Sequence, residues 1–85
     1  MELRKILTLP EAKYRYLQIR KHERNFFPEK FEVFKLKFKE QTYELRVNNR
    51  DCVIISQLYQ EYRFSDGEEI IITKKNGNYE LSLIE

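Results

Sequence analysis

The chain has 85 residues, 41% hydrophobic and 35% charged, which fits one globular domain, residues 1–85, with a modest core. One cysteine and one histidine exclude an internal disulfide and a Cys/His zinc site, and two glycines leave no room for a glycine-rich phosphate loop. The net charge of +2 conceals an asymmetry: residues 1–39 carry eleven Lys and Arg against five Glu, and residues 40–85 carry five against nine acids, so the halves stand at +6 and −4.

In chain order, Leu3 to Leu9 reads as a short strand ended by Pro10, which has no N–H to give a ladder. Pro10 to Lys13 reads as a loop. Tyr14 to Arg20 alternates with period two, setting Arg15, Leu17, Ile19 and Lys21 against Tyr14, Tyr16, Gln18 and Arg20. A single helix over Glu11 to Phe27 leaves Ile19 and Phe26 off the apolar stripe, so a strand followed by a short helix, His22 to Phe27, fits better. Pro28 disfavours helical backbone at Phe27.

Phe34-Lys35-Leu36-Lys37-Phe38-Lys39 alternates strictly, which faces Phe34, Leu36 and Phe38 to the core. Glu40-Gln41 turns the chain, and Tyr43, Leu45 and Val47 repeat the alternation. Asn48-Asn49-Arg50-Asp51 is a turn, because Asn tolerates left-handed backbone. Cys52 to Ile55 is a further strand. Ser56 fits the N-cap of a helix over Gln57 to Tyr62. Ser65-Asp66-Gly67 is a turn, Glu68 to Thr73 a strand, and Asn76-Gly77 a hairpin signal before Tyr79 to Ile84. The sum is a mainly β (α+β) fold of seven short strands with two short helices, the pattern of a small open β-barrel.

Three stretches resemble B3-type DNA-binding domains. The first is Lys5-Ile6-Leu7-Thr8 with Leu17-Gln18-Ile19-Arg20-Lys21-His22 and Phe26-Phe27-Pro28. The second is the hairpin Phe34 to Val47. The third is Val53 to Thr73, with Phe64-Ser65-Asp66-Gly67-Glu68. The chain lacks the Gly-Trp pair that plant members carry near Leu58-Tyr59, and its turn at Asn48 to Asp51 is short. It is therefore more similar to the DNA-recognition domains of prokaryotic restriction endonucleases.

The resemblance implies a seven-stranded pseudobarrel that grips the major groove of double-stranded DNA with two arms. The first arm carries Lys13, Tyr14, Arg15, Tyr16, Arg20 and Lys21. The second carries Asn48, Asn49 and Arg50. These residue types suit the task, since Arg reads guanine and Asn reads adenine through paired hydrogen bonds while Lys holds phosphates. It also implies a monomeric targeting domain with no cofactor, and a nuclease or NTPase portion in a fused or partner region.

The residues also support plainer roles. Asn48-Asn49 forms turns whatever it binds, Lys35, Lys37 and Lys39 line a solvated face, and Cys52 suits a small buried site. No nucleophile–base set and no carboxylate cluster marks an enzyme. With no signal peptide and no long apolar run, the sequence implies a cytoplasmic protein that does not engage a membrane. Two other readings stay open. One is a protein-interaction module, which is favoured if Lys13, Arg15, Arg20 and Arg50 point to separate sides. The other is a dimeric swapped-hairpin transcriptional regulator, which shares the Gly67-Glu68 step.

Overall fold

The computed structural model describes residues 1–84. Seven strands run in the order β1 (Glu2–Ile6), β2 (Tyr16–Gln18), β3 (Phe34–Phe38), β4 (Gln41–Leu45), β5 (Cys52–Ile54), β6 (Glu69–Lys75) and β7 (Asn78–Leu83). One α-helix, α1 (Leu9–Tyr14), lies between β1 and β2, and 3-10 helices occupy Lys21–Phe26 and Ser56–Gln60.

Alternation makes β3, as its sequence requires. Phe34, Leu36 and Phe38 are buried and the lysines between them are exposed. The β3–β4 hairpin turns on Lys39 and Glu40, at φ 48° and 72°, one residue earlier than the sequence suggests. At the β6–β7 hairpin, Asn76 and Gly77 stand at φ 54° and 81°, the paired left-handed backbone that matches a two-residue turn to strand twist.

The strands form two units. A five-stranded sheet has the order β1-β6-β7-β3-β4, antiparallel except for the parallel β3–β7 pair. A two-stranded antiparallel ribbon joins β2 to β5, with Tyr16 opposite Ile54, Leu17 opposite Val53 and Gln18 opposite Cys52. A single bridge, Val47 to Val53, links the chain beyond β4 to the ribbon. Among the described residues no backbone hydrogen bond joins β1 to β2, so the strands close no barrel. What forms is a mainly β fold of one sheet and one ribbon around a shared core. That core takes in Leu7, Leu17, Leu36, Val53, Leu58 and Ile72.

Charged side chains fill the seam where β1 and β2 fail to pair. In an antiparallel ribbon, alternate residues turn their N–H and C=O away from the partner strand. Here Arg15, Leu17 and Ile19 turn their backbone groups toward the β5 side, and the Gln18 N–H and C=O turn away from it. That N–H donates to Glu11 Oε2 at 2.8 Å, and that C=O accepts from Lys5 Nζ at 2.9 Å. Lys5 Nζ also donates to Glu23 Oε1 at 2.8 Å. Lys5, Glu11 and Glu23 are all buried, at 6%, 2% and 6% exposure.

Helix α1 replaces the loop expected at Pro10 to Lys13. Thr8 is its N-cap and Glu11 its third residue, and the two form a reciprocal capping box with Pro10 in the first turn. Three helical segments therefore stand where two were expected. The second 3-10 helix begins at Ser56 itself, after Ile55, and no side chain caps it. The β2 strand is shorter than Tyr14 to Arg20, because α1 takes its first residue and Arg15 adopts left-handed backbone at φ 63°.

Aromatic rings brace the layer between sheet and ribbon. Tyr79 of β7 packs on Phe26, Phe27 and Phe34, with ring centroids 5.7, 5.7 and 4.8 Å away. Its hydroxyl donates to the Phe26 carbonyl at 2.8 Å, which fastens the first 3-10 helix to the sheet. Glu68 holds the Ser65-to-Gly67 turn: its carboxylate accepts from the Ser65 N–H at 3.0 Å and from the Tyr62 hydroxyl. The Gly67 N–H and Glu68 C=O then bond to Leu7 at 2.8 and 2.9 Å, extending the β1–β6 pairing.

Candidate functional site

The outer face of the ribbon is the floor of a shallow groove of about 450 Å³. Tyr16, Gln18, Cys52 and Ile54 line it from the two strands. Tyr14 closes one end, from the last turn of α1, and Asn48 and Arg50 close the other, from the turn before β5. Residues from both sequence-derived arms thus share one depression. Period two explains it. With Leu17 and Val53 in the core, their neighbours along each strand face out.

The turn at Asn48 to Asp51 is tightly specified. Asn48 Oδ1 accepts from the N–H groups of Arg50 and Cys52, at 2.9 and 3.0 Å. The Asn48 C=O accepts from the Asp51 N–H at 3.1 Å, and Asp51 takes left-handed backbone at φ 56°. Asn48 is therefore first a turn former, its Oδ1 engaged within the turn. The Gln18 amide ties this turn to β2: Nε2 donates to the carbonyls of Arg50 and Asp51 at 3.4 and 3.3 Å. Gln18 Oε1 accepts from the Cys52 thiol at 3.3 Å. Cys52 is buried as expected, and burial pushes its thiol above the ordinary value, with the Asp51 charge adding to the effect.

The remaining expected residues do not enter the groove. Arg15 lays its guanidinium over the Tyr59 ring, 5.0 Å from the centroid. With Lys13, Arg63 and Asp66 it lines a second depression of about 270 Å³ beneath α1. Lys13 Nζ lies 5.4 Å from the Tyr14 ring centroid. Arg20 lines a third depression, with Arg4, His22 and Glu69. Lys21 is exposed at the start of the first 3-10 helix, and Asn49 is exposed at the turn.

Two cations that the sequence did not single out approach the turn from residues 24–30. Arg24 Nε lies 3.5 Å and Lys30 Nζ 3.8 Å from Asp51 Oδ1. Gln18 is also a member that sequence reasoning missed. The alternation already grouped it with Tyr14 and Tyr16, and that stripe was the signal available. Arg24 and Lys30 had no such signal, because only the tertiary fold brings them to Asp51.

Glu23 is a buried, hydrogen-bonded acid beside the seam. Burial raises its pKa, but the hydrogen bonds from Lys5 and the Arg20 N–H and the Lys5 charge outweigh burial, leaving it below the ordinary 4.5. Among the described residues no group of three or more His, Cys, Asp or Glu stands close enough to hold a metal ion, and no helix is long and apolar enough to cross a membrane.

No family model matches the chain, and no curated protein matches it. The solved structure of a hypothetical Arabidopsis thaliana protein is similar over 99% of this chain and 89% of its own, with a TM-score of 0.66 at 12% identity. At that identity the likeness shows a shared fold.

Proposed function

We propose that the chain is a double-stranded DNA-binding domain that reads the major groove with the β2–β5 ribbon and its two flanking arms. In this reading the sheet and ribbon form an open pseudobarrel of the B3 type. The observation that carries it is the convergence of Tyr14 and Tyr16 with Asn48 and Arg50 on one groove, from segments far apart in sequence. A B-form major groove is about 12 Å wide and admits a two-stranded β-ribbon. The ribbon's outer face offers a guanidinium, amides and tyrosine hydroxyls, the donors that suit base edges and phosphates. The domain binds and does not catalyse. It serves as the targeting module of a restriction system, with the nuclease or NTPase portion in a fused or partner region.

Selection from a randomised duplex pool with the purified domain tests the proposal. An enriched motif is expected, bound with an affinity that falls steeply with salt. Arg50→Ala is expected to weaken that complex by about 10- to 100-fold, the worth of one paired base contact, and to relax one position of the motif. A pool that stays random, with no binding even at low salt, would remove the DNA reading.

A protein ligand is the second reading, and two observations favour it. Lys13 and Arg15, Arg20, and Arg50 line three different depressions. Tyr14 and Ile54 are also 65% and 50% exposed beside one groove, an apolar content that suits a peptide. Under that reading no duplex is bound even at low salt, and Ile54→Ser weakens partner binding.

A further inference from the structure

The groove has a neighbour built on one carboxylate. Asp51 Oδ1 is buried and has no hydrogen-bond partner among the described residues. Arg24 Nε and Lys30 Nζ face it at 3.5 and 3.8 Å, distances of charge attraction and not of well-formed hydrogen bonds. Each cation is held by other means. Arg24 Nη1 donates to the Pro28 carbonyl at 2.8 Å, and Lys30 Nζ reaches the Asn49 carbonyl at 3.5 Å. Arg24 therefore keeps its position without Asp51, while Lys30 is held only loosely. The carboxylate makes a loose contact with both cations near Arg50, much as one phosphate oxygen would.

We propose that Arg24 and Lys30 form a third phosphate-contacting element of the DNA-binding face, and that Asp51 is its internal counter-ion in the free protein. The inference rests on the DNA reading and adds to it a site outside both arms. A backbone phosphate that reaches Arg24 and Lys30 competes with Asp51 Oδ1 for them, so binding carries the cost of parting a buried carboxylate oxygen from its cations. Asp51 thereby lowers affinity for any duplex, whatever its sequence, and leaves discrimination to the groove. Left-handed backbone is open to Asn as well as Asp, so Asp51→Asn removes the charge and keeps the turn.

The test measures affinity for a random-sequence duplex by fluorescence anisotropy between 50 and 200 mM salt. It compares wild type, Asp51→Asn, Lys30→Ala, and Glu80→Gln, which makes the same charge change on the exposed face of β7. One phosphate contact alters affinity by about 3.5-fold over that salt range. Asp51→Asn is expected to bind more tightly than wild type at 50 mM and to steepen the salt slope by about one contact. Lys30→Ala is expected to flatten it by about one, and Glu80→Gln to leave it unchanged. If wild type binds the duplex and Asp51→Asn moves no further than Glu80→Gln, the counter-ion proposal falls and the DNA reading stands. A heparin column run in parallel separates the reverse case. If no variant binds duplex, yet Asp51→Asn alone elutes later, the anion site stands and the DNA reading falls. No duplex binding by any variant, together with unchanged heparin elution, overturns both.

Discussion

Lys5 shows how much one buried charge can organise. Its ammonium is shared by the Gln18 carbonyl and the Glu23 carboxylate, and Glu23 in turn accepts from the Arg20 N–H at 2.9 Å. Removing one partner of such a pair leaves the other charged and dry, a loss of about 3–5 kcal/mol. Lys5→Met is expected to cost that much in urea denaturation, although methionine fills similar space. The pH dependence follows from Glu23. Its folded pKa lies below 4.5, so its contribution is fully present above that pH and disappears as pH falls through the lower folded value. Glu23→Gln is expected to be less stable than wild type at pH 7, and the gap in unfolding midpoint is expected to close on acidification below pH 4.5. A gap that stays constant with pH would show that the Glu23 charge contributes nothing.

At the scale of elements, legibility followed periodicity. The strand Phe34–Phe38 could be read because every second residue is apolar, and the Asn76-Gly77 hairpin because its turn residues admit left-handed backbone. Helix α1 leaves no periodic signal, although Thr8-Leu9-Pro10-Glu11 spells a capping box. Six residues are too few to show a helical stripe, and the Leu3-to-Leu9 run that overlaps it has strand character. Glu11 then does more than cap. By accepting from the Gln18 N–H it fixes the distance between helix and ribbon, a role no local pattern announces. Thr8→Ala is expected to cost about 1 kcal/mol in stability, the usual worth of an N-cap. It is also expected to weaken duplex binding, since Tyr14 lies in the last turn of α1. Normal binding by a destabilised Thr8→Ala protein would separate the helix from the site.

For the molecule as a whole, the charge asymmetry of the chain was a poor guide to where its cations would lie. Lys5 is buried in an ion pair, and Arg15 lies over the Tyr59 ring. Lys35 and Lys37 lie on the outer face of the sheet, away from the groove. The seven strands were legible, but their division into one five-stranded sheet and one two-stranded ribbon was not. Three buried charged side chains meet across the seam between β1 and β2, and no alternation rule reports them. A ribbon joined to the sheet by core packing and side-chain straps, with one backbone bridge to the chain beyond β4, has a further consequence for motion. Its amides are expected to exchange with deuterium by local opening, well before those of β6 and β7, which are paired along their whole length. Bound duplex is expected to slow exchange at Leu17, Ile19 and Asn48 while leaving Ile70 and Ile72 untouched. The reading head would then be the softest part of the fold until its target stiffens it.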